Sequence, residues 1–334
     1  MDRSPDLAGV AVRGVVHPVR PLDRDEPIMV AGHTGMVGSA IQRLLVREGF
    51  TDVLGVSSET VDLRRRDDVF EWFRRVRPRT VVMAAARVGG ILANDTSPVE
   101  FLSDNLQIQV NTMDAALHHG VERVLFLGSS CVYPREAPQP ITEDALLTGL
   151  LEPTNDAYAI AKIAGMISVR SVRRQYGLPW ISAMPTNLYG PGDNFAAESS
   201  HVLAAFIRRF TDAVSKGETA VTNWGTGTPR REFLHVDDLA SACLFLLDRY
   251  DGDSHVNVGV GVDMSIAALA QKVATVAGYT GSIHWDETKP DGMMRKVLDV
   301  SVLRSMGWSP GISLDSGLSS TVDWYRRVGP AHHR

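Results

Sequence analysis

Ile28-Met29-Val30-Ala31-Gly32-His33-Thr34-Gly35-Met36-Val37-Gly38, running on into Ser39-Ala40-Ile41-Gln42-Arg43-Leu44-Leu45, is the stretch on which the fold turns. Its four opening apolar residues read as a short buried strand, and the apolar spacing after Gly38 reads as a helix. Between them stand glycines in a GxxGxxG spacing. Glycine permits a tight turn and lets backbone N–H groups approach a diphosphate at the helix N-terminus. Strand, glycine loop and helix in this order are the setting of a dinucleotide-binding unit. Taken alone, the loop also fits a tight turn that holds no ligand.

Outward from that unit, Val53-Leu54-Gly55-Val56 reads as a second strand ending at Ser57-Ser58. NAD enzymes place an acid at this strand end to hold the ribose 2′-hydroxyl. Glu59 comes late for that, which tilts the reading toward NADP and leaves NAD open. No Arg occupies the turn; Arg64, Arg65 and Arg66 come later and suit a solvated helix start equally well. Asp62 is placed to meet an adenine edge. Thr80 to Ala86 is a third strand running into small residues, and Val88-Gly89-Gly90-Ile91 is a loop over the cleft. A helix from Pro98 to His119 carries Leu102, Leu106, Val110 and Met113 on one stripe, with Asn105 and Asn111 in structural roles. Strands at 124–127 and 180–184 follow, separated by a loop-rich segment (Pro134 to Pro153) and a helix reaching about Tyr176. This alternation predicts an α/β fold, a Rossmann-type doubly wound parallel sheet.

The organisation expected is a flexible extension over residues 1–26, a dinucleotide-binding domain over 27–190 with segments returning near 231–260, and a smaller C-terminal substrate domain over 191–334. In Arg231 to Asp238, Asp237 or Asp238 is expected to cap the helix that follows. Hydrophobic content of 44% and charged content of 22% are ordinary for a globular chain, and a net charge of −5 gives no reason to expect nucleic acid. No apolar run approaches the ~20 residues of a membrane span, and no signal peptide is evident, so a cytoplasmic location is expected. Two cysteines make no disulfide framework, and Cys243, within Ala242-Cys243-Leu244-Phe245-Leu246, reads as core.

The chemistry concentrates between Leu125 and Lys162. The strand Val124-Leu125-Phe126-Leu127 breaks at Gly128 into Ser129-Ser130-Cys131. Tyr158 and Lys162, four residues apart on a helix, share one face. A lysine ammonium beside a phenol is expected to favour the phenolate and draw the Tyr158 pKa down from its usual ~10. With Ser129 on the same substrate oxygen, these groups make a proton relay at a carbonyl, as a hydride-transfer site requires.

Gly32–Gly38, Ser129-Ser130-Cys131-Val132-Tyr133-Pro134, Tyr158-xxx-Lys162 and Arg231 to Asp238 together resemble the extended short-chain dehydrogenase/reductases. Longer strings resemble the GDP-L-fucose synthases within them. These are Ala85 to Ile91, Leu151 to Asn155, Tyr158 to Gly165 and Pro185 to Pro191, and the likeness covers about residues 28–325. The resemblance implies NADPH-dependent conversion of GDP-4-keto-6-deoxy-D-mannose to GDP-L-fucose, by epimerisation at C3 and C5 and then reduction at C4. It implies a reductase triad of Ser129, Tyr158 and Lys162 and an epimerising pair of Cys131 and His201. It implies cofactor contacts from Gly32, Thr34, Gly35, Met36, Val37, Gly38, Ser57, Ser58, Asp62, Leu63, Ala85, Leu127, Gly128, Ser129, Ser130, Tyr158, Lys162, Pro185, Thr186, Asn187, Leu188 and His201. Substrate contacts would come from Asn187, Arg209, Trp224, Arg231 and Asp291. A homodimer through the 98–119 and 155–176 helices is implied as well. The chain departs from the family at Ser57-Ser58, where an Arg is common, and at Met293-Met294, where a Thr-Pro pair is usual.

The residue types suit that chemistry. A C4 ketone acidifies both neighbouring C–H bonds, and a cysteine, pKa ~8.5 when free, needs only modest help to act as base. His201 can supply the proton on the opposite ring face, and Arg209 and Arg231 suit a diphosphate. Nucleotide-sugar dehydratases resemble this chain but carry Asp-Glu where Ser130-Cys131 stands, and a plain C4-epimerase lacks the Cys131/His201 pair. A different 4-keto-6-deoxy sugar, or a catalytically silent cofactor-binding protein, stays open at this point.

Overall fold

A computed structural model describes residues 20–197, 199–289 and 291–328. The elements run β1 (Ile28–Ala31), α1 (Met36–Arg47), β2 (Val53–Val56), α2 (Arg66–Val76), β3 (Thr80–Met83), α3 (Ile91–Thr96), α4 (Pro98–His118), β4 (Arg123–Leu127), α5 (Asp156–Tyr176) and β5 (Ile181–Pro185). They continue with β6 (Asn187–Tyr189), α6 (Val202–Lys216), β7 (Ala220–Trp224), β8 (Arg230–Arg231), β9 (Phe233–His235), α7 (Val236–Arg249), β10 (Val256–Val258) and β11 (Met264–Ser265). Last come α8 (Ile266–Ala277), β12 (Ser282–Asp286), β13 (Arg295–Lys296), α9 (Ser301–Ser305) and α10 (Leu314–Val328).

Six strands form one parallel sheet in the order β10-β5-β4-β3-β1-β2. Its strands are apolar on both faces, as a sheet covered on both sides demands. Met29, Val81, Val124 and Phe126 pack with Met113 of α4 and Met166 of α5. Ile28, Val30, Val82 and Leu125 face the other way, onto Ile41 and Leu44 of α1 and Leu239 and Leu246 of α7. Cys243 lies in this second core, and burial pushes its thiol up to about 12. The strand order reverses between β1 and β3, and in open α/β sheets ligands bind at such a point, outside the carboxyl ends of the strands.

A third core gathers α6, α8 and α10 around Phe206, Phe210, Leu269 and Leu318. Beside it, β7 pairs with β12 in parallel, and β8 lies between β11 and β13. The segment around α7 and β10 packs on the large sheet, β10 pairing with β5. A second segment that packs on it goes unread in the sequence: Leu298 and Val300 join one face of the sheet and Leu303 and Trp308 the other. The expected extension also ends early. Residues 1–19 lie outside the described residues, but Leu22 is buried, its N–H donates to Asp248 at 2.8 Å, and the Arg24 guanidinium sits 5.1 Å over the Phe50 ring. Leu22, Arg24 and the Asp248 carboxylate on α7 tie this segment to the fold.

The cap of α7 is a further correction. His235, not Asp237 or Asp238, occupies it, its Nδ1 accepting from the Asp237 N–H at 3.2 Å. Asp238 instead accepts from the N–H groups of Gly311 at 3.0 Å and Ile312 at 2.9 Å, and Asp237 pairs with Arg43 at 2.9 Å. Glu232, fully buried between β8 and β9, accepts from the N–H groups of Val260, Gly261 and Leu298. A buried carboxylate saturated by backbone donors joins the two lobes at the residue next to Arg231.

Candidate active site

The glycine loop is built for close approach. Gly32 has φ +82°, and a Cβ there would lie 2.7 Å from the Ala85 backbone. At Gly38 a Cβ would fall 2.1 Å from the Gly32 carbonyl oxygen, so no side chain fits at either place. The N-terminus of α1 has no side-chain cap and no acid in its first turn. Its N–H groups and positive dipole end therefore stand free for an anion. This cradle fits the diphosphate of a nicotinamide dinucleotide, with Thr34, Met36 and Val37 in the loop and first turn.

Beyond β2, the Ser57 hydroxyl lies 3.2 Å from that of Thr60, and Ser58 follows it. Arg64 is no free cation here: it grips Asp62 through Nε at 2.9 Å and Nη2 at 2.8 Å and reaches Asp104 at 3.5 Å. Hydrogen bonding from Arg64 holds the Asp62 carboxyl below its ordinary value. Asn111 and Asn105 are structural, as expected. Asn111 donates to the Leu63 carbonyl at 3.1 Å, fixing the Asp62-Leu63 turn. Asn105 accepts from the Arg87 N–H at 2.8 Å and donates to the Arg87 carbonyl at 3.0 Å, which staples the segment after Ala85 to α4.

Tyr158 and Lys162 rise from the first turns of α5 toward the end of β4. Lys162 is buried and donates to the Leu127 carbonyl at 2.8 Å, with its Nζ 5.8 Å from the centre of the Tyr158 ring. The Phe101 ring meets Tyr158 edge-on at 6.4 Å and helps set its angle. The expected lowering of the phenol does not occur. Enclosure by protein raises the Tyr158 pKa, a charge on Cys131 adds to that, and a hydrogen bond with Ser129 only partly opposes it. Burial lowers Lys162 to about 8. The lysine spends a hydrogen bond on a carbonyl rather than on the phenol, so Tyr158 stands as a protonated donor, the form a reduction needs at a ketone oxygen.

Cys131 follows in a 3₁₀ turn, Ser130–Val132, capped by Ser129, whose hydroxyl accepts from the Cys131 N–H at 3.2 Å. Its sulfur accepts from Lys296 Nζ at 3.3 Å. Burial raises the Cys131 pKa, but Lys296, Ser129 and Arg231 together outweigh burial and leave the thiol below its ordinary value. His201 opens α6 without any side-chain capping bond, so its ring is not spent on the helix. Although His201 keeps exposed surface, surrounding protein and then the Lys296 ammonium hold its imidazole below the ordinary value. The loop before it is pinned over the cleft: Gly90 N–H donates to the Ser199 carbonyl at 3.0 Å, and Asn194 donates to the Ser199 hydroxyl at 2.9 Å. Cys131 and His201 both feel one ammonium, a group to which the sequence reading assigns no part.

On the substrate side, Arg209 is half-buried and donates to Asn223 Oδ1 at 3.0 Å. Trp224 is 58% exposed, with Lys289 Nζ 5.7 Å from the centre of its ring. Arg231 faces Cys131, Asp291 and Glu152. Asp291 is already engaged, accepting from the Thr226 N–H and hydroxyl, each at 2.8 Å. Asn187 donates to the Glu232 carbonyl at 2.8 Å, while Thr186 N–H donates to Val258 at 3.0 Å, which places Pro185 to Leu188 along the cleft floor. Gly128 and Ser130 flank Ser129 at the end of β4.

A parallel sheet with a diphosphate cradle at its switch point and a Ser-Tyr-Lys group beside it defines a nucleotide-dependent oxidoreductase of the short-chain type. Residues 28–259 match the model of the NAD dependent epimerase/dehydratase family, and the chain belongs to it. Over 303 residues the chain is 55% identical to "GDP-L-fucose synthase 1" of Arabidopsis thaliana, covering 91% of this chain and 94% of that protein. It is 47% identical over 307 residues to "GDP-L-fucose synthase" of Escherichia coli K12, covering 89% and 96%. The solved structure of a GDP-L-fucose synthetase from Naegleria fowleri bound to NADP superposes with a TM-score of 0.87 at 27% identity, covering 96% and 99%. Within the larger family, the chain is a member of the GDP-L-fucose synthases.

Proposed function

We propose that this chain converts GDP-4-keto-6-deoxy-D-mannose to GDP-L-fucose with NADPH, epimerising C3 and C5 and then reducing C4. What supports the reading is that Ser129, at the end of β4, hydrogen-bonds with both Tyr158 and Cys131. When bound, the dinucleotide supplies hydride to C4. Gly32 to Gly38, Ser57 and Ser58, the Asp62-Leu63 turn, Ala85, Leu127 to Ser130 and Pro185 to Leu188 would hold it.

In this scheme Cys131 removes the proton at C3 and then at C5, and His201 delivers one on the opposite face. A lowered imidazole is the stronger acid when charged and the less populated one at neutral pH, a balance that general acids strike near their working pH. The enolate puts charge on O4, where Tyr158 and Ser129 donate hydrogen bonds and Lys162 adds positive potential. Tyr158 then gives O4 its proton. Arg209 and Arg231 suit the diphosphate and Trp224 the base. A homodimer through α4 and α5 belongs to the same proposal, supported by exposed Val99, Val110, Ile160 and Ile167 on those helices. So does a cytoplasmic setting, supported by two unpaired cysteines.

Adding GDP-4-keto-6-deoxy-D-mannose to the protein and NADPH is expected to oxidise the cofactor and yield GDP-L-fucose. Absence of turnover with either nicotinamide cofactor would reject the substrate. The same assay has an expected alkaline limb. Lys162 is charged below about 8 and neutral above it, so kcat/KM should fall as pH rises through that value. A profile that stays flat well past it would remove the ammonium from the rate.

A further inference from the structure

Lys296 is a buried cation with no carboxylate among its hydrogen-bond partners in the described residues. A buried ammonium is costly unless paired. Its Nζ points at Cys131 Sγ, 3.3 Å away and 165 residues distant in sequence. That aim is built into the fold. Lys296 lies on β13 in register with Arg231 of β8. Asp263 clamps both strands by accepting from Arg230 at 2.7 Å and from Arg295. Glu232 binds the Leu298 N–H at 3.0 Å, two residues beyond. Strand pairing, a carboxylate clamp and a buried carboxylate therefore fix one side chain whose terminus meets sulfur.

We propose that Lys296 is the standing counter-ion of a Cys131 thiolate, and so a positioning residue that keeps this sulfur ready as a base. The proposal rests on the reading of Cys131 as the epimerising base. The thiol proton passes to solvent, and the sulfur anion is balanced by the ammonium beside it. Other charges facing the sulfur act in known directions. Arg231 on β8 reinforces the thiolate, and its own positive charge is offset by Glu152 and Asp291. Tyr158 on α5 is neutral, so it adds no charge, and the Ser129 hydroxyl stabilises the anion. His201 feels the same ammonium, which discourages a second positive charge beside it at rest. Lys296 thereby acts on both groups in one sense, favouring the anion at Cys131 and disfavouring the cation at His201.

The test is the pH dependence of iodoacetamide alkylation at Cys131, followed by peptide mass in the full chain. Cys243, buried and pushed up to about 12, does not compete. In the wild-type protein the midpoint is expected below the ~8.5 of a free cysteine. A midpoint at or above that value overturns the proposal, whether or not any variant folds. K296M is expected to move the midpoint up by about one pH unit or more and to slow alkylation at neutral pH roughly tenfold. K296R, which keeps the charge, is expected to stay near wild type. An unmoved midpoint in K296M, or a K296R profile equal to that of K296M, overturns the ion pair. Alkylation reads ionisation without substrate, so its failure leaves the role of Cys131 as base standing. Undiminished solvent exchange in C131S would remove that role and leave the ion pair standing.

Discussion

Replacing Tyr158 with Phe is expected to lower kcat for NADPH oxidation by roughly 10³-fold, within the range lost with a positioned general acid. The phenol is the only group of the triad carrying a proton suited to O4. Lys162 is engaged with the Leu127 carbonyl, and Ser129 accepts from the Cys131 N–H while its own hydroxyl is shared. The phenyl ring introduced by the substitution should sit where the ring of Tyr158 does, against Phe101, because that contact is edge-on between rings and needs no hydroxyl. NADPH affinity should therefore change little. Exchange of solvent deuterium into the substrate should persist at a reduced rate, since enolisation also draws on the hydrogen bond at O4. Single-turnover reduction with deuterium incorporation measured in parallel separates these steps. A Tyr158→Phe protein that reduces its substrate at the wild-type rate would show that another group protonates O4.

The parts of this molecule legible in the sequence are those whose physics is local. Ile28–Ala31 and Val53–Val56 stand where the apolar runs put them, and for Ile28–Ala31 the reason is that a strand covered on both faces leaves a continuous hydrophobic record. Gly32 and Gly38 are legible because no Cβ can occupy their places. Tyr158 and Lys162 are legible because four residues make about one helical turn. What escaped was set by partners far along the chain. Lys296 carries no signal of its own in Arg295-Lys296, and it is the pairing of β13 with β8 that places it against Cys131. The cap at His235 escaped because the two acids that follow it look like better caps, while Asp238 is drawn off to the 311–312 backbone. The direction of the Tyr158 shift escaped for a related reason. Spacing reports that a lysine is near, but not that its ammonium is already bonded or how deeply the phenol is enclosed.

The second large effect is expected at Cys131. Changing it to Ser should slow solvent deuterium uptake at C3 and C5 by about 10²- to 10⁴-fold, since a hydroxyl cannot ionise near neutral pH where a tuned thiol can. The substitution is nearly isosteric, and the backbone contact that holds the turn, Cys131 N–H to the Ser129 hydroxyl, does not involve the sulfur. The cradle at Gly32–Gly38 is formed by β1, α1 and the Ala85 backbone. Cofactor affinity should accordingly remain near wild type, and so should thermal stability. Losing a sulfur anion also removes a charge that raises the Tyr158 pKa, so the phenol should remain a competent donor and direct C4 reduction should survive. The product of C131S would then be enriched in the sugar reduced without epimerisation, identifiable by its NMR couplings at C3 and C5. Exchange at the wild-type rate would take Cys131 out of the proton transfers and leave a nucleotide-sugar reductase whose epimerising base lies elsewhere in the cleft.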